Sequence, residues 1–331
     1  MRSVHGMGQR LDDVALVSAS KGGRVAWPSR LWRALNSTFF RHKRLGVGSL
    51  LGPPLAWMLV VYIGSLALLF FSSLYRLDPV TQKPTTDFTW ENLSAAFSLW
   101  DAGTRGAVWP FVRTVGVAVL VTAICALIAL PVAMFVAKVA PRWMRRGLIV
   151  AMLLPLWAGY LVKGYAWRAM VSPSGGRFAA AGKGDGGFLE SVLGWTPGFG
   201  RVAIVIALVY LWLPYMILPV YAGIERLPTS ILDAAGDLGA RPFTTFRDVI
   251  LPMLLPSVAA GSIFTFSLTL GDYIVPQIVN NGEERFMFGS VINATFGAPN
   301  QPLAAAYTLW PVVIIVLYLM AMKRAGAFDN L

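Results

Sequence analysis

Long apolar stretches alternate along the chain with shorter polar segments that carry most of its charges. A membrane-spanning helix needs about 20 mainly apolar residues, and six stretches meet or approach that length. They predict six transmembrane helices near residues 50–74, 111–137, 147–167, 202–222, 256–280 and 303–322. Lys163 and Asp272 interrupt the third and fifth stretches, so these two spans are the least regular. The pattern therefore predicts an all-α integral membrane protein.

Composition supports this class. Of 331 residues, 56% are hydrophobic and only 13% are charged, which excludes an ordinary soluble domain. We divide the chain into a basic tail (1–48), a transmembrane domain (49–325) with a polar loop (225–255), and a C-terminal end (326–331).

The distribution of Lys and Arg predicts the orientation of the helices, because short basic segments stay on the cytoplasmic side. Basic residues lie in the tail, in the second-to-third connection, in the polar loop and at Lys323 and Arg324 after the last span, and alternating helices place all of these segments on one side. Both termini and the polar loop are therefore expected in the cytoplasm. The net charge of +12 then reflects topology and contact with anionic membrane lipids, and no nucleic-acid partner is expected.

Two alternatives remain open for the tail. Residues 27–40 form either an amphipathic helix lying on the membrane or a disordered segment. His5 and His42 have no Cys or carboxylate at ligand spacing, so we expect no metal site. Cys125, the single cysteine, is expected to pack within the second span.

The polar loop predicts two short helices joined by a glycine turn. Ser230 and Asp233 have the spacing of an N-cap and its capping-box partner, which predicts a helix from Ile231. Gly239 supplies the C-terminal stop, and Arg241 precedes a proline that begins a second short helix leading to Pro252. The alternative is an amphipathic loop that packs only on its own membrane domain.

The order of residues in this loop resembles the cytoplasmic loop of bacterial ABC-importer permeases. In that family a Glu-Ala-Ala triplet is followed after three residues by Gly and later by an Ile-x-Leu-Pro-like element. Here Asp233 replaces the Glu, and Ile250 adjoins Leu251 directly. The resemblance implies that the loop docks on an ATPase subunit. The residues that carry this expectation are Ser230, Asp233, Ala234, Ala235, Gly239, Arg241, Leu251 and Pro252.

Further motifs resemble the spermidine/putrescine-type subgroup. They are LPLW at 154–157, LPYM at 213–216, LPVY at 218–221 and GDYIVPQ at 271–277. The resemblance implies a type I permease core of five helices preceded by one extra helix. It also implies a second homologous permease subunit, two copies of an ATPase subunit and an external solute-binding protein, in a bacterial inner membrane.

No GxxxxGK[ST] sequence occurs in the chain, so no phosphate-binding loop of that type is present. No GxSxG or HExxH set occurs either. We therefore expect no enzyme active site and no cofactor in this chain, with ATP and Mg bound by the partner ATPase subunits.

The candidate solute path rests on an ionisable residue at membrane depth, because such residues usually face a cavity or a partner. Asp272 is that residue, and aromatic side chains on several spans offer cation–π contacts to an organic cation. The aromatic candidates are Tyr273, Trp157, Tyr160, Trp212 and Tyr215. Three interpretations of Lys163 stay open: an ion pair with Asp272, a side chain that reaches the outer interface, or a guide for an anionic solute.

The sequence thus predicts the transmembrane permease subunit of an ATP-driven importer for a small solute, with a polyamine such as spermidine or putrescine favoured. One alternative is an importer permease for an amino-acid derivative, phosphonate, thiamine or iron. Another is a secondary transporter or channel that is not driven by ATP.

Overall fold

The structure is a computed structural model. It describes residues 43–78, 80–81, 83–97, 107–172, 189, 196–280, 287–298, 300–324 and 326–327. Most of the predicted tail of residues 1–48, including the candidate amphipathic helix of residues 27–40, lies outside the described residues.

Helices dominate the described chain, as the sequence predicts. The first half contains α1 (Lys43–Ser73), α2 (Glu91–Phe97), α3 (Val108–Met134), α4 (Arg142–Trp157) and α5 (Tyr160–Val171). The second half contains α6 (Arg201–Glu225), α7 (Thr229–Asp237), α8 (Pro242–Thr245), α9 (Leu251–Gly271), α10 (Ile274–Val279), α11 (Phe288–Gly297) and α12 (Gln301–Arg324). Two wide π-helical turns, Phe135–Val139 and Phe246–Ile250, extend α3 and join α8 to α9.

A small antiparallel hairpin lies between α1 and α2, and the all-α prediction missed it. Its strands are β1 (Tyr75–Leu77) and β2 (Pro84–Phe88). Asp78 accepts hydrogen bonds from the Val80 amide at 2.9 Å and the Thr81 hydroxyl at 2.7 Å, which stabilises the turn.

Five helical segments in the described chain are long and apolar enough to cross a membrane: Leu50–Ser73, Val108–Val139, Arg201–Glu225, Pro242–Gly271 and Gln301–Arg324. Helices α4 and α5 pass the same test only as a pair, and they are bent by 96° at the residues between them, as in a broken span or a re-entrant loop. The number of spans therefore agrees with the prediction of six if this bent pair is one broken span.

The third and fifth predicted spans differ from the structure in shape. The third, 147–167, is broken after Trp157, where Ala158 and Gly159 adopt extended ψ angles of 133° and 140°. Pro155 lies two residues before the end of α4 and has no amide to donate to the Ala151 carbonyl, which weakens this part of the helix. The fifth, 256–280, is a helix that already begins at Pro242 and ends at Gly271, and α10 follows separately.

Contacts divide the chain into two units, Met1–Ala67 and Leu68–Leu331. In the described part of the first unit, the apolar side chains of α1 are exposed. In the second unit, α3, α6 and α9 pack around one core. Its buried members include Cys125, Leu208, Met216 and Leu254, so the expected packing role of Cys125 agrees with its position.

Two glycines allow α6 and α9 to approach closely. A Cβ atom on Gly223 would lie 2.8 Å from Cβ of Ser257, and a Cβ atom on Gly261 would lie 3.2 Å from Cα of Met216. Larger residues do not fit at these two positions without a shift of one helix.

Candidate docking loop and broken-span site

The polar loop forms the helix–turn–helix that the sequence predicts, with one correction at its first residue. Helix α7 begins at Thr229, and Pro228, with extended φ and ψ angles of −61° and 133°, occupies the N-cap position without a side-chain cap. Ser230 therefore lies in the first turn of the helix and is exposed. The prediction of a Ser230 N-cap and a helix start at Ile231 is wrong because the preceding proline already fixes the extended conformation that an N-cap needs.

Gly239 ends α7 as predicted. Its φ angle is +71°, a left-handed conformation that costs a residue with a Cβ atom about 1–2 kcal/mol. The Gly239 amide donates to the Gly236 carbonyl at 2.9 Å, and the Ala240 amide donates to the Ala235 carbonyl at 3.0 Å. This pair of bonds is a Schellman motif, which fixes the direction of the chain after the helix.

The outer surface of the loop is polar on α7 and apolar around the glycine turn. Asp233 and Ala234 are exposed, whereas Ala235 is buried. Leu238 is 88% exposed and Phe243 is 73% exposed. Two large apolar side chains thus project on either side of Gly239, an arrangement suited to insertion into a partner protein.

The second half of the loop continues directly into the membrane. Arg241 is the extended residue before Pro242, which occupies the first turn of α8, in agreement with the sequence prediction. The Leu251 amide bonds back to the Phe246 carbonyl, five residues earlier. This wide turn precedes Pro252, which has no amide. Leu251 and Pro252 therefore begin α9 rather than ending a separate helix.

Ionic and polar contacts attach the first end of the loop to α4 and to the end of the α3 segment. The Arg145 guanidinium forms an ion pair with Glu225, the last residue of α6, and donates to the Tyr221 hydroxyl at 3.1 Å. Tyr221 in turn donates to Glu225 at 2.7 Å. Lys138 donates to the Leu227 carbonyl at 3.3 Å. The start of the loop is thereby attached to α4 and to the end of the α3 segment.

The candidate solute residues converge where two spans are broken. Asp272 lies between α9 and α10, and its Oδ1 atom accepts hydrogen bonds from the Tyr160 hydroxyl at 2.5 Å and from the amides of Ile274 at 3.0 Å and Val275 at 3.3 Å. Tyr160 is the first residue of α5, directly after the other break. Irregular backbone at membrane depth is typical of transport sites.

Asp272 is 6% exposed, and its Oδ2 atom is buried without a hydrogen-bond partner among the described residues. A buried carboxylate oxygen is costly to leave unpaired. The Oδ2 atom can therefore accept a hydrogen bond from a cationic group that reaches it.

Aromatic rings extend from Asp272 across three helices. Tyr160 stacks on Trp212 with ring centroids 5.9 Å apart and an interplanar angle of 16°. Trp212 contacts Tyr215 at 5.9 Å, and Tyr215 contacts Phe264 at 6.5 Å. We call Tyr160, Trp212, Tyr215 and Phe264 the aromatic row. Phe264, which is 53% exposed, was missed because its sequence context resembles any apolar span.

Trp157 and Lys163 do not join this cluster. The structure places Trp157 at the end of α4 with 90% of its surface exposed and in no ring contact with the described residues. Tyr273 is adjacent to Asp272 and 37% exposed. Lys163 is buried, but within the described residues it forms no ion pair with Asp272, so that interpretation of Lys163 is excluded. In the same residues, no three His, Cys, Asp or Glu side chains form a metal-binding group.

Comparisons with known proteins agree with this fold. Residues 126–324 match the family described as "Binding-protein-dependent transport system inner membrane component". The chain is 42% identical over 316 residues to the inner membrane ABC transporter permease protein YdcU of Escherichia coli (strain K12), which covers 92% of this chain and 97% of that protein.

A second relative is the spermidine/putrescine transport system permease protein PotB of Haemophilus influenzae (strain ATCC 51907 / DSM 11121 / KW20 / Rd). It is 32% identical over 224 residues, which are 67% of this chain and 75% of PotB. Among solved structures, a bacterial ABC transporter involved in the import of the acidic polysaccharide alginate has a chain with a TM-score of 0.57 and 13% identity. The match covers 89% of this chain and 99% of that one, and it supports the type I permease fold alone.

The broken spans and the helix–turn–helix loop define an integral-membrane transport subunit. The chain belongs to the family of binding-protein-dependent transport system inner membrane components, and it is an ABC-importer permease.

Proposed function

We propose that this permease translocates an organic polycation, with polyamines such as spermidine and putrescine as the favoured solutes. One observation carries this proposal: the buried Oδ2 atom of Asp272 has no partner within the described residues and lies at the end of the aromatic row. A carboxylate attracts an ammonium group, and aromatic faces stabilise cations through their quadrupoles. The name of PotB, a spermidine/putrescine permease at 32% identity, supports the same solute class.

The loop of residues 225–255 docks on an ATPase subunit in this proposal. The exposed Leu238 and Phe243 enter a cleft of the ATPase, while Asp233 and Arg241 offer charges at its rim. ATP and Mg are bound by two copies of that subunit. Closure of the two ATPases moves the loop, and the helices attached to it switch the solute path between the two sides of the membrane.

The remaining partners follow from the same proposal. A second homologous permease completes the membrane part, and an external binding protein delivers the solute, in keeping with the family description. Both termini and the loop lie in the cytoplasm, which agrees with the basic residues that flank them.

Uptake by the complete complex in proteoliposomes tests the proposal. Labelled spermidine and putrescine are supplied with the binding protein outside and ATP inside, for the wild type, Asp272→Asn and the control Asp87→Asn in the exposed hairpin. Asparagine keeps an acceptor oxygen for Tyr160 but removes the charge, so we expect Asp272→Asn to reduce uptake at least tenfold. The control is expected to match the wild type.

Three results would overturn the proposal. Unchanged polyamine uptake by a correctly assembled Asp272→Asn complex removes the carboxylate from the solute path. Uptake that survives ATP depletion but stops when the ion gradient is dissipated assigns the chain to secondary transport. Should the binding protein retain an amino-acid derivative, phosphonate, thiamine or iron instead of a polyamine, the solute class is wrong.

A further inference from the structure

The first turn of α11 lies directly against the backbone of Asp272. A Cβ atom on Gly289 would lie 2.9 Å from the Asp272 carbonyl oxygen and 3.2 Å from its carbonyl carbon. Two carbon atoms in contact prefer a separation of about 3.5–4.0 Å, so a side chain at position 289 would push α11 and the Asp272 backbone apart. Glycine is therefore needed here for space, and it lets α11 touch the residue that carries the candidate solute carboxylate.

A hydrogen bond from another helix fixes the position of this turn. The first amides of a helix have no intrahelical partner, and Met287, the N-cap residue of α11, provides no side-chain cap. Thr114 on α3 takes this role, because its Oγ1 atom accepts a hydrogen bond from the Phe288 amide at 2.7 Å. The same hydroxyl donates to the Pro110 carbonyl at 2.8 Å, which leaves its oxygen free to accept. Thr114 and Phe288 are both buried, so loss of this acceptor would leave the amide unpaired at a cost in free energy.

The Phe288 side chain holds the same turn between α3 and α12. Its ring centroid lies 5.0 Å from that of Phe111 on α3, and 5.9 Å and 6.4 Å from those of Tyr307 and Trp310 on α12. The ring and the amide of Phe288 are thus both fixed by neighbouring helices. The first turn of α11 therefore has little freedom to withdraw from Asp272.

Two helices hold Asp272 in place. Tyr160 on α5 donates to its carboxylate at 2.5 Å, and α11 contacts its backbone through Gly289. Asp272 itself lies outside α9 and α10, with extended φ and ψ angles of −76° and 130°. The position of its Oδ2 atom therefore depends on the contacts from α5 and α11.

We propose that Gly289 and Thr114 are positioning residues of the solute site, which hold the Asp272 carboxylate where an ammonium group of the solute can reach it. Neither residue touches the solute in this assignment, and both act through Asp272. The inference deepens the proposed function and rests on it, because it requires Asp272 to bind the solute.

Uptake of labelled spermidine by the complete complex in proteoliposomes tests the role of Gly289. We expect Gly289→Ala to reduce the uptake rate at least fivefold, because the added methyl group displaces the backbone of Asp272. The matched control is Gly271→Ala. Gly271 directly precedes Asp272, but a Cβ atom there meets no atom within 4 Å, so uptake should stay within twofold of the wild type.

A combined variant distinguishes positioning from a general structural defect. If Gly289 acts only through the carboxylate, Gly289→Ala should cause less than a twofold further loss of uptake in the Asp272→Asn background, since the two effects are then not additive. All variants are compared as purified complexes of the same subunit composition. A loss of at least fivefold in both backgrounds would overturn the proposal, and so would unchanged uptake by Gly289→Ala.

Thr114 supplies a second test that adds no volume and that decides the question if Gly289→Ala does not assemble. Thr114→Ser keeps the acceptor for the Phe288 amide and should retain at least half of the uptake, whereas Thr114→Val removes the acceptor and should reduce uptake at least threefold. Thr295→Val is the control on α11 itself, because the Thr295 hydroxyl donates within its own helix, to the Val291 carbonyl at 2.8 Å. Equal uptake by Thr114→Ser and Thr114→Val would contradict a positioning role for this hydroxyl.

These results separate failure of the inference from failure of the proposed function. Full uptake by Asp272→Asn refutes the proposed role of the carboxylate, and the positioning of that carboxylate with it. A large loss with Asp272→Asn, but none with Gly289→Ala or Thr114→Val, refutes the positioning role alone.

Discussion

Tyr160 donates a hydrogen bond of 2.5 Å to Oδ1 of Asp272 and thereby connects the two broken spans of the molecule. The same oxygen accepts the first amides of α10. One carboxylate therefore fixes the start of a short helix and its distance from α5. This dual contact makes the pair a candidate hinge as well as a candidate solute site.

Loss of the Tyr160 hydroxyl is expected to weaken this connection. In Tyr160→Phe, one hydrogen bond to the carboxylate disappears, and such bonds contribute about 1.5–3 kcal/mol. We expect a lower thermal unfolding temperature in detergent and slower uptake. Tyr215→Phe, in the same aromatic row, is the control, because no hydrogen bond of its hydroxyl occurs within the described residues. Equal behaviour of the two variants would show that the Tyr160 bond has no role.

Gly239 and Gly236 make a matched pair in the docking loop. Both have open space around a hypothetical Cβ atom, but only Gly239 has a positive φ angle, of +71°. Gly239→Ala is expected to cost about 1–2 kcal/mol through backbone strain and to reduce recovery of the ATPase with the complex. Gly236→Ala, within α7, is expected to stabilise the helix by about 0.5–1 kcal/mol. Full ATPase recovery and uptake with Gly239→Ala would contradict a docking role for the turn.

The Arg145–Glu225 ion pair predicts a charge-reversal effect. The two side chains are 31% and 45% exposed, so the pair contributes only about 0.2–1 kcal/mol to stability. We expect a larger effect on the coupling of ATP hydrolysis to solute uptake. Arg145→Glu or Glu225→Arg should lower the uptake per ATP hydrolysed, and the double exchange should restore part of that uptake. Reversal of the exposed Arg247–Asp248 pair, with atoms 3.9 Å apart, should change neither quantity. No recovery in the double variant would argue against a direct link.

Close packing of α6 and α9 predicts sensitivity to a single methyl group. Gly223→Ala places a Cβ atom 2.8 Å from Cβ of Ser257, and such overpacking costs about 1–3 kcal/mol. Gly116→Ala on α3 meets no atom within 4 Å and is expected to leave the melting temperature unchanged or slightly higher. Combining Gly223→Ala with Ser257→Gly should recover much of the loss, and its failure to do so would indicate a different cause.

Much of the fold was predictable because apolar length alone identifies spans and because Gly239 and Pro242 fix the backbone locally. The 96° bend was not predictable from Pro155, because a proline within an apolar stretch does not by itself mark a break. Pro214 and Pro219 lie inside α6, and that helix is continuous. Ser230 was wrongly predicted as the N-cap because Pro228, which occupies that position, has no side chain of the type that usually caps a helix.

The candidate site was only partly predictable for a related reason. Asp272, Tyr160, Trp212 and Tyr215 were identified because charge and aromatic character stand out in an apolar sequence. The contacts of Phe264, Arg145 and Glu225 depend on which helices pack together. Long-range packing determines this, and the local sequence does not show it.

The contacts at Gly223 and Gly261 also constrain how work passes through the subunit. Helices α6 and α9 are in close contact at two levels, one near the loop and one deeper along both helices. This leaves little space for one helix to shift relative to the other. We therefore expect the two helices to move together as one rigid unit when the glycine turn at Gly239 is displaced.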